Sequence, residues 1–170
     1  MLNLSRLEAG EVDLSTGSIR LEEKVREIAE VHRPEAEEAG IALHVEVNES
    51  VRAAADEGGL QVILRNLISN AIKYTEEGGT VWVRVRASKT VAVLEVEDTG
   101  IGMDPDEVSI LFEPFRQASE GPGRTYRGTG LGLAVTRRMT RRMGGEVEVE
   151  TAKGEGSCFR VRLPAPSEEE

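Results

Sequence analysis

Leu60, Ile63, Leu64, Leu67, Ile68, Ala71 and Ile72 recur at i, i+3, i+4, i+7, i+8, i+11 and i+12, the spacing of one apolar face of an α-helix. The core face of this helix is thereby settled before anything else in the chain is read. Asp56 stands ahead of it as a plausible N-cap. A second set of residues, Asn66, Asn70 and Lys73, falls at i, i+4 and i+7 and makes a polar stripe on a different side. Asparagine is a mediocre helix former, so the stripe is either a solvated face or a site. Two alternating stretches follow, Thr80 to Ala87 (TVWVRVRA) and Thr90 to Val96 (TVAVLEV), joined by Ser88 and Lys89. They predict a tight hairpin.

The chain has 170 residues, 39% of them hydrophobic, which suits one domain with a real core and little left over. Its formal net charge of -10 opposes a nucleic-acid backbone or an anionic membrane as the main partner. No apolar run approaches the roughly 20 residues that span a bilayer, and MLNLSRLEAGE lacks the regions of a signal peptide. A soluble, cytoplasmic chain is expected. The single cysteine, Cys158, excludes an internal disulfide and a thiolate cluster, and it reads as a small core residue.

Leu2, Leu4 and Leu7, followed by Ala9 and Gly10, look like the last turns of a helix stopped by glycine. Residues 11 to 19 are ambiguous and admit a short strand. Leu21, Val25, Ile28, Ala29, His32 and Ala36 share one helical face, which predicts an amphipathic helix ending near Gly40. Pro34 is expected to kink it or to end its first part. His32, on the apolar stripe, reads as a half-buried packing histidine. Ile41 to Val47 alternates as a strand that turns His44 to its other face. His44 has no ligand-spaced partner, so a metal site there is disfavoured. Residues 52 to 55 admit another short strand.

Val96 to Gly102, VEDTGIG, runs from a strand into Asp98 and then two glycines. Glycines 100 and 102 would let backbone approach a flat ligand while Asp98 reads its edge, though the same residues are common turn chemistry. Asp104, Pro105 and Asp106 mark a helix start. Gln117 to Thr129 (QASEGPGRTYRGT) has no periodicity and predicts a mobile loop. It ends in GTGLGL, Gly128 to Leu133, which opens a helix carrying Leu133, Val135, Met139 and Met143. Glycines at a helix start expose amides suited to phosphate. The spacing is not GxGxxG and no strand precedes it, so a dinucleotide fold is disfavoured. Gly144 and Gly145 cap that helix, and Arg137, Arg138, Arg141 and Arg142 read as a solvated face. Glu146 to Thr151 and Ser157 to Leu163 predict the last strands, and residues 164–170 an acidic, disordered tail.

Taken in order, NLISNAIKYT on a helix, DTGIG after a strand, FEPFRQ, a Gly- and Arg-rich loop and GTGLGL resemble the N, G1, F and G2 boxes of the catalytic and ATP-binding domain of bacterial sensor histidine kinases. The resemblance covers residues 20 to 163, and the opening LNLSRLEAGE resembles the end of the dimerisation-domain helix that precedes such domains. It implies the Bergerat, or GHKL, fold: an α/β sandwich with a mixed, mostly antiparallel sheet of about five strands packed on three helices, under a mobile ATP lid. The implied division is 1–10 for the end of the dimerisation-domain helix, 11–163 for the catalytic domain and 164–170 for the tail.

By this resemblance Asp98 accepts from the adenine amine, and Gly100 and Gly102 let backbone approach the base. Asn70 ligates magnesium with Asn66 nearby, Lys73 faces the phosphates and Tyr74 flanks the nucleotide. The amides of Gly130, Leu131 and Gly132 hold the phosphate chain, with Arg127, Gly128 and Thr129 leading into them, and Phe112 and Phe115 form the apolar hinge of the lid. Related gyrase-type ATPases and serine kinases place a glutamate base at the position of Asn66. A neutral imidazole already offers a lone pair, so Asn66 fits transfer to histidine. Some family members carry an arginine two residues after the second phenylalanine; here Gln117 stands there, and the contact to the terminal phosphate passes to Arg116, Arg124 or Arg127. Neither His32 nor His44 resembles the acceptor histidine box. The expected partners are therefore a phosphoacceptor dimerisation domain, on an excised part of the protein or on another polypeptide, and indirectly a response regulator, with neither nucleic acid nor membrane contacted by this chain. The expected activity is transfer of the γ-phosphoryl group of MgATP to that histidine. The alternatives are a GHKL-type ATPase and a non-catalytic nucleotide-binding regulatory module.

Overall fold

A computed structural model describes residues 16–47, 49–88, 90–104, 106 and 132–166. Along the chain these form β1 (Thr16–Arg20), α1 (Leu21–Glu38), β2 (Ala42–Glu46), β3 (Arg52–Asp56), α2 (Glu57–Lys73), β4 (Thr80–Ala87), β5 (Val91–Asp98), α3 (Gly132–Arg142), β6 (Glu146–Thr151) and β7 (Ser157–Pro164). Five strands make one sheet in the order β2-β4-β5-β7-β6, with β2 parallel to β4 and every other pair antiparallel. The expected α/β sandwich is thus observed. The two short N-terminal strands do not join this sheet; β1 pairs antiparallel with β3 in a separate ribbon, Thr16 opposite Asp56.

Alternation along the strands divides the sheet into two faces. Val81, Val83, Val85, Leu94, Val96, Val161 and Leu163 turn inward and are almost wholly buried, in one core with Leu21, Val25 and Ile28 of α1, Leu60 to Ile72 of α2, and Ala134, Val135 and Met139 of α3. All seven apolar positions read from the spacing of α2 are in that core. Outward, Glu46, Arg84 and Glu97 pair across three strands at 3.1 and 2.6 Å, and Arg160 bridges Glu95 and Glu150 at 2.6 and 2.7 Å.

Local chemistry sets the element ends. The Gly59 amide donates to Asp56 Oδ2 at 2.7 Å, the expected N-cap of α2. The C-terminus of α3 closes in a Schellman arrangement, with Gly145 N–H on the Thr140 carbonyl at 2.9 Å, Gly144 N–H on that of Arg141 at 3.0 Å, and Gly144 at φ 85. Of the two roles expected for Pro34, a kink or the end of the first part of α1, the second is not met: α1 runs through Pro34 to Glu38, close to the end expected near Gly40. Pro34 is exposed, on the side where water replaces the missing donor, while His32 and Ala36 keep the apolar face continuous on either side of it. His32 is buried, with Nδ1 3.1 Å from a Glu35 carboxylate oxygen. Cys158 is buried too, as expected, and burial pushes its thiol up to about 11.

Candidate functional site

Four pieces of chain converge at the ends of β5 and α2. The first is α2 itself. Its core face leaves Asn66, Asn70 and Lys73 half-buried along the neighbouring side. The Asn66 amide Nδ2 donates to the Gly132 carbonyl at 3.0 Å and to Thr136 Oγ1 at 3.3 Å, which joins the polar stripe to the first turn of α3. One turn on, the carboxamide of Asn70 makes no hydrogen bond among the described residues. Lys73 Nζ lies 6.0 Å from the centroid of the Tyr74 ring, within range of a cation–π contact.

The second piece is the loop after β5. Asp98, only 7% exposed, shares the inward face with Leu94 and Val96. Its Oδ1 accepts from the Gly100 amide at 2.8 Å and the Ser157 amide at 3.2 Å, and Oδ2 has no hydrogen bond among the described residues. Burial pushes this carboxyl up to about 6; the two amides pull against that, and the neighbouring Glu97 charge adds to it. Among the described residues one oxygen is fixed and the other is not.

The glycines of this loop work first on the chain's own packing. A Cβ at Gly100 would stand 2.3 Å from the Tyr74 carbonyl oxygen, and one at Gly102, where φ is 61, would stand 2.0 Å from that of Ala152. The Ile101 amide donates to the same Tyr74 carbonyl at 3.1 Å. These contacts clamp the loop between the end of α2 and the β6–β7 turn, which is the third piece. Gly156 of that turn, at φ 83, sits so close that a Cβ would meet the Asp98 carbonyl oxygen at 2.1 Å. Only glycine permits that approach, and it delivers the Ser157 amide to Asp98.

The fourth piece is the start of α3 at Gly132. A Cβ on Gly132 would lie 3.6 Å from Asn66 Cγ, so the helix N-terminus abuts the stripe of α2. Phe112, Phe115, Arg116, Gln117, Arg124, Arg127, Gly128, Thr129, Gly130 and Leu131 lie outside the described residues. Of the sequence-predicted site, Asn66, Asn70, Lys73, Tyr74, Asp98, Gly100, Gly102 and Gly132 are placed and brought together. Ser157 and Thr136 were not singled out from the sequence: Ser157 acts through its backbone amide, for which the only signal is the glycine-rich turn before it, and Thr136 occupies an ordinary helical core position.

The donor set suits a hard cation. Asn70 and the Asn66 Oδ1 are neutral oxygen donors one turn apart, and no group of three or more His, Cys, Asp or Glu side chains gathers among the described residues to make an all-protein cage. A magnesium ion that keeps several waters and leans on phosphate oxygens fits such a place. The open groove on the outer face of the sheet, lined by Glu46, Arg84, Glu95 and Arg160 among others, shares no residue with this site. Among the described residues, no helix is long and apolar enough to cross a membrane.

Comparison with known proteins identifies the family and supports the fold. The profile of the histidine kinase-, DNA gyrase B- and HSP90-like ATPase family matches residues 55–167. The chain is 37% identical over 166 residues to an uncharacterized sensor-like histidine kinase of Rhizobium meliloti, covering 97% of this chain and 32% of that protein. It is likewise 37% identical over 167 residues to the circadian input-output histidine kinase CikA of Synechococcus elongatus, at 96% and 22% coverage. Among solved structures, full-length ShkA in complex with AMPPNP superposes with a TM-score of 0.83 at 35% identity, over 96% of this chain and 34% of that one. The mycobacterial sensor histidine kinase MprB gives 0.78 at 27% identity, over 88% and 98%. The chain thus spans a third or less of those curated relatives. It belongs to the histidine kinase-, DNA gyrase B- and HSP90-like ATPase family and is an ATP-binding catalytic domain of the kind found in sensor histidine kinases.

Proposed function

We propose that this domain binds MgATP and donates its γ-phosphoryl group to a histidine of a dimerisation and phosphoacceptor domain, from which a response regulator would receive it. The observation that carries the reading is Asp98: a buried carboxylate with Oδ1 held by two backbone amides and Oδ2 unbonded among the described residues fits recognition of an exocyclic amine. From there the site runs past Tyr74 and Lys73 to Asn70 and Asn66, where Mg²⁺, when bound, would neutralise charge on the phosphate oxygens. Lys73 would add a positive charge, and the amides opening α3 would face the phosphate chain. Arg116 or Gln117 is assigned the contact to the terminal phosphate, with Gly128 to Leu131 completing the cradle and Phe115 the lid.

The choice of acceptor rests on Asn66. A carboxamide bonded to α3 cannot serve as a general base, and water or serine would need one. An imidazole does not. Within the described residues His32 is buried in α1 and His44 lies on β2, away from the stripe, so the acceptor is assigned to another domain. Radiolabelled ATP incubated with this domain and the histidine-bearing helices of its cognate kinase should yield an acid-labile phosphoprotein, with negligible phosphate release by the domain alone. Rapid steady hydrolysis without acceptor would favour the ATPase reading instead. Asn70→Ala is expected to weaken Mg²⁺-dependent ATP binding by on the order of tenfold or more, measured by calorimetry with and without the metal. Unchanged affinity in both conditions would remove Asn70 from the site.

A further inference from the structure

We propose that Thr136 is a positioning residue for this site: it holds the Asn66 carboxamide so that Oδ1 is presented to the ligand, and it ties that orientation to the first turn of α3. The inference rests on the MgATP reading above and deepens it by naming what sets the donor atom of Asn66.

Thr136 is fully buried, 0% exposed. Its hydroxyl donates to the Gly132 carbonyl at 2.8 Å, which spends its one proton, so towards Asn66 it can only accept. The Asn66 amide nitrogen therefore meets two acceptors, the Gly132 carbonyl at 3.0 Å and Thr136 Oγ1 at 3.3 Å. A flipped carboxamide would set Oδ1 against the Gly132 carbonyl oxygen with no proton between them, even if the Thr136 hydroxyl turned its proton to Oδ1. The choice between the two orientations, ordinarily ambiguous for asparagine, is thus made by α3. Asn66 Oδ1 then carries no hydrogen bond among the described residues, and it is the atom assigned to the ligand. Thr140, also fully buried, donates from Oγ1 to the Thr136 carbonyl at 2.7 Å and steadies the turn below.

Both partners of Asn66 belong to the opening turn of α3, whose amides are the proposed phosphate cradle. A displacement of that turn removes both acceptors together. Presentation of Oδ1 is in this way tied to the position of the turn from Gly132 to Thr136.

Thr136→Val keeps the shape and deletes the hydroxyl, Thr136→Ala removes it without β-branching, and Thr136→Ser retains it. All three are first compared with the parent by circular dichroism and thermal melting. For Val and Ala, the gain in ATP affinity on adding Mg²⁺ and the rate of transfer to the histidine-bearing helices should each fall roughly three- to tenfold, the range of one neutral hydrogen bond, while adenosine affinity stays at the parent value. Ser should restore both. In ¹⁵N-labelled protein, the Asn66 side-chain amide signals, assigned with N66D, should shift and exchange faster with solvent in Val and Ala but not in Ser. Parent-like magnesium dependence and transfer in folded Val and Ala variants, or unchanged Asn66 amide signals, would overturn the assignment. Failure of the MgATP reading would look different: the parent itself would show no magnesium-dependent binding, and the amide signals would still decide whether Thr136 holds Asn66.

Discussion

Glu95 and Asp98 stand three residues apart on β5 and are hidden from solvent to nearly the same degree, at 2% and 7% exposure, yet their surroundings are opposite. Glu95 points outward and is covered by side chains; Arg86 and Arg160 both donate to it. Burial alone would raise its carboxyl, but the two guanidinium groups overcome that and hold it below its ordinary value. Asp98 points inward and, among the described residues, has no cation beside it and receives only backbone amides, so burial prevails and its carboxyl rises. Among those residues one strand thus carries a carboxylate that is satisfied and one that is satisfied only in part. A fully paired buried charge holds strands in register, whereas a half-paired one is available to a ligand.

The comparison breaks most directly at Asp98→Asn. The new side chain can still accept the Gly100 and Ser157 amides, so the fold should survive, but it lacks the charge that an exocyclic amine would meet. Nucleotide affinity by calorimetry should fall roughly 10- to 100-fold, the range for a hydrogen bond to a charged group, with a melting temperature at neutral pH no lower than the parent's, because the carboxylate charge it removes is one that burial disfavours. Loss of stability without loss of affinity would make Asp98 a structural residue like Glu95. The converse substitution, Glu95→Gln, leaves Arg160 facing a neutral group in a largely covered position. It should cost about 2 kcal/mol in denaturant unfolding, less than a fully buried pair because Arg86 is well exposed, and leave nucleotide affinity unchanged.

Acid sharpens the contrast, with an effect on affinity at the lower end of the range expected for Asp98→Asn. At pH 5 about one Asp98 side chain in ten would be ionised, so nucleotide affinity should drop about tenfold between pH 7.5 and pH 5, relative to Asp98→Asn measured alongside to cancel titration of the nucleotide itself. The stability terms have opposite signs. The folded chain keeps the Asp98 proton up to about pH 6 against an ordinary value of 3.8, so Asp98 favours the folded state at low pH and loses that contribution, roughly 3 kcal/mol, as pH rises through this window. Glu95, with its carboxyl held low, contributes stability above its ordinary value that disappears as pH falls through its folded one. Unfolding curves of Asp98→Asn and Glu95→Gln against the parent across that range should differ in slope and in sign; equal slopes would erase the distinction.

Much of this was legible in the residues. The face of α2, the cap at Asp56, the hairpin of β4 and β5 and the closing strands follow from local periodicity and turn chemistry, and the order of the polar and glycine boxes led to the family and to Asp98 as the residue proposed to meet the nucleotide. Other features were not. Pro34 reads as a break until the apolar face on both sides of it is seen to be buried. The pairing of β1 with β3 joins segments more than thirty residues apart, and nothing in either short run names its partner. Gly100 and Gly102 were legible as close-approach positions, but which backbone comes close, that of Tyr74 and Ala152, is a tertiary fact.

By itself the sequence determined which face of each helix and strand is apolar, where the elements stop, and which side chains had the chemistry for a nucleotide and a hard cation, because those properties are local. Only the tertiary structure decided which atoms of those side chains are already used. That Asp98 is held through Oδ1 alone among the described residues, that Ser157 supplies an amide and that Thr136 bonds the Asn66 carboxamide all depend on groups contributed by distant segments. Hydrogen-bond satisfaction is a property of neighbours in space, and periodicity along a chain carries no record of it.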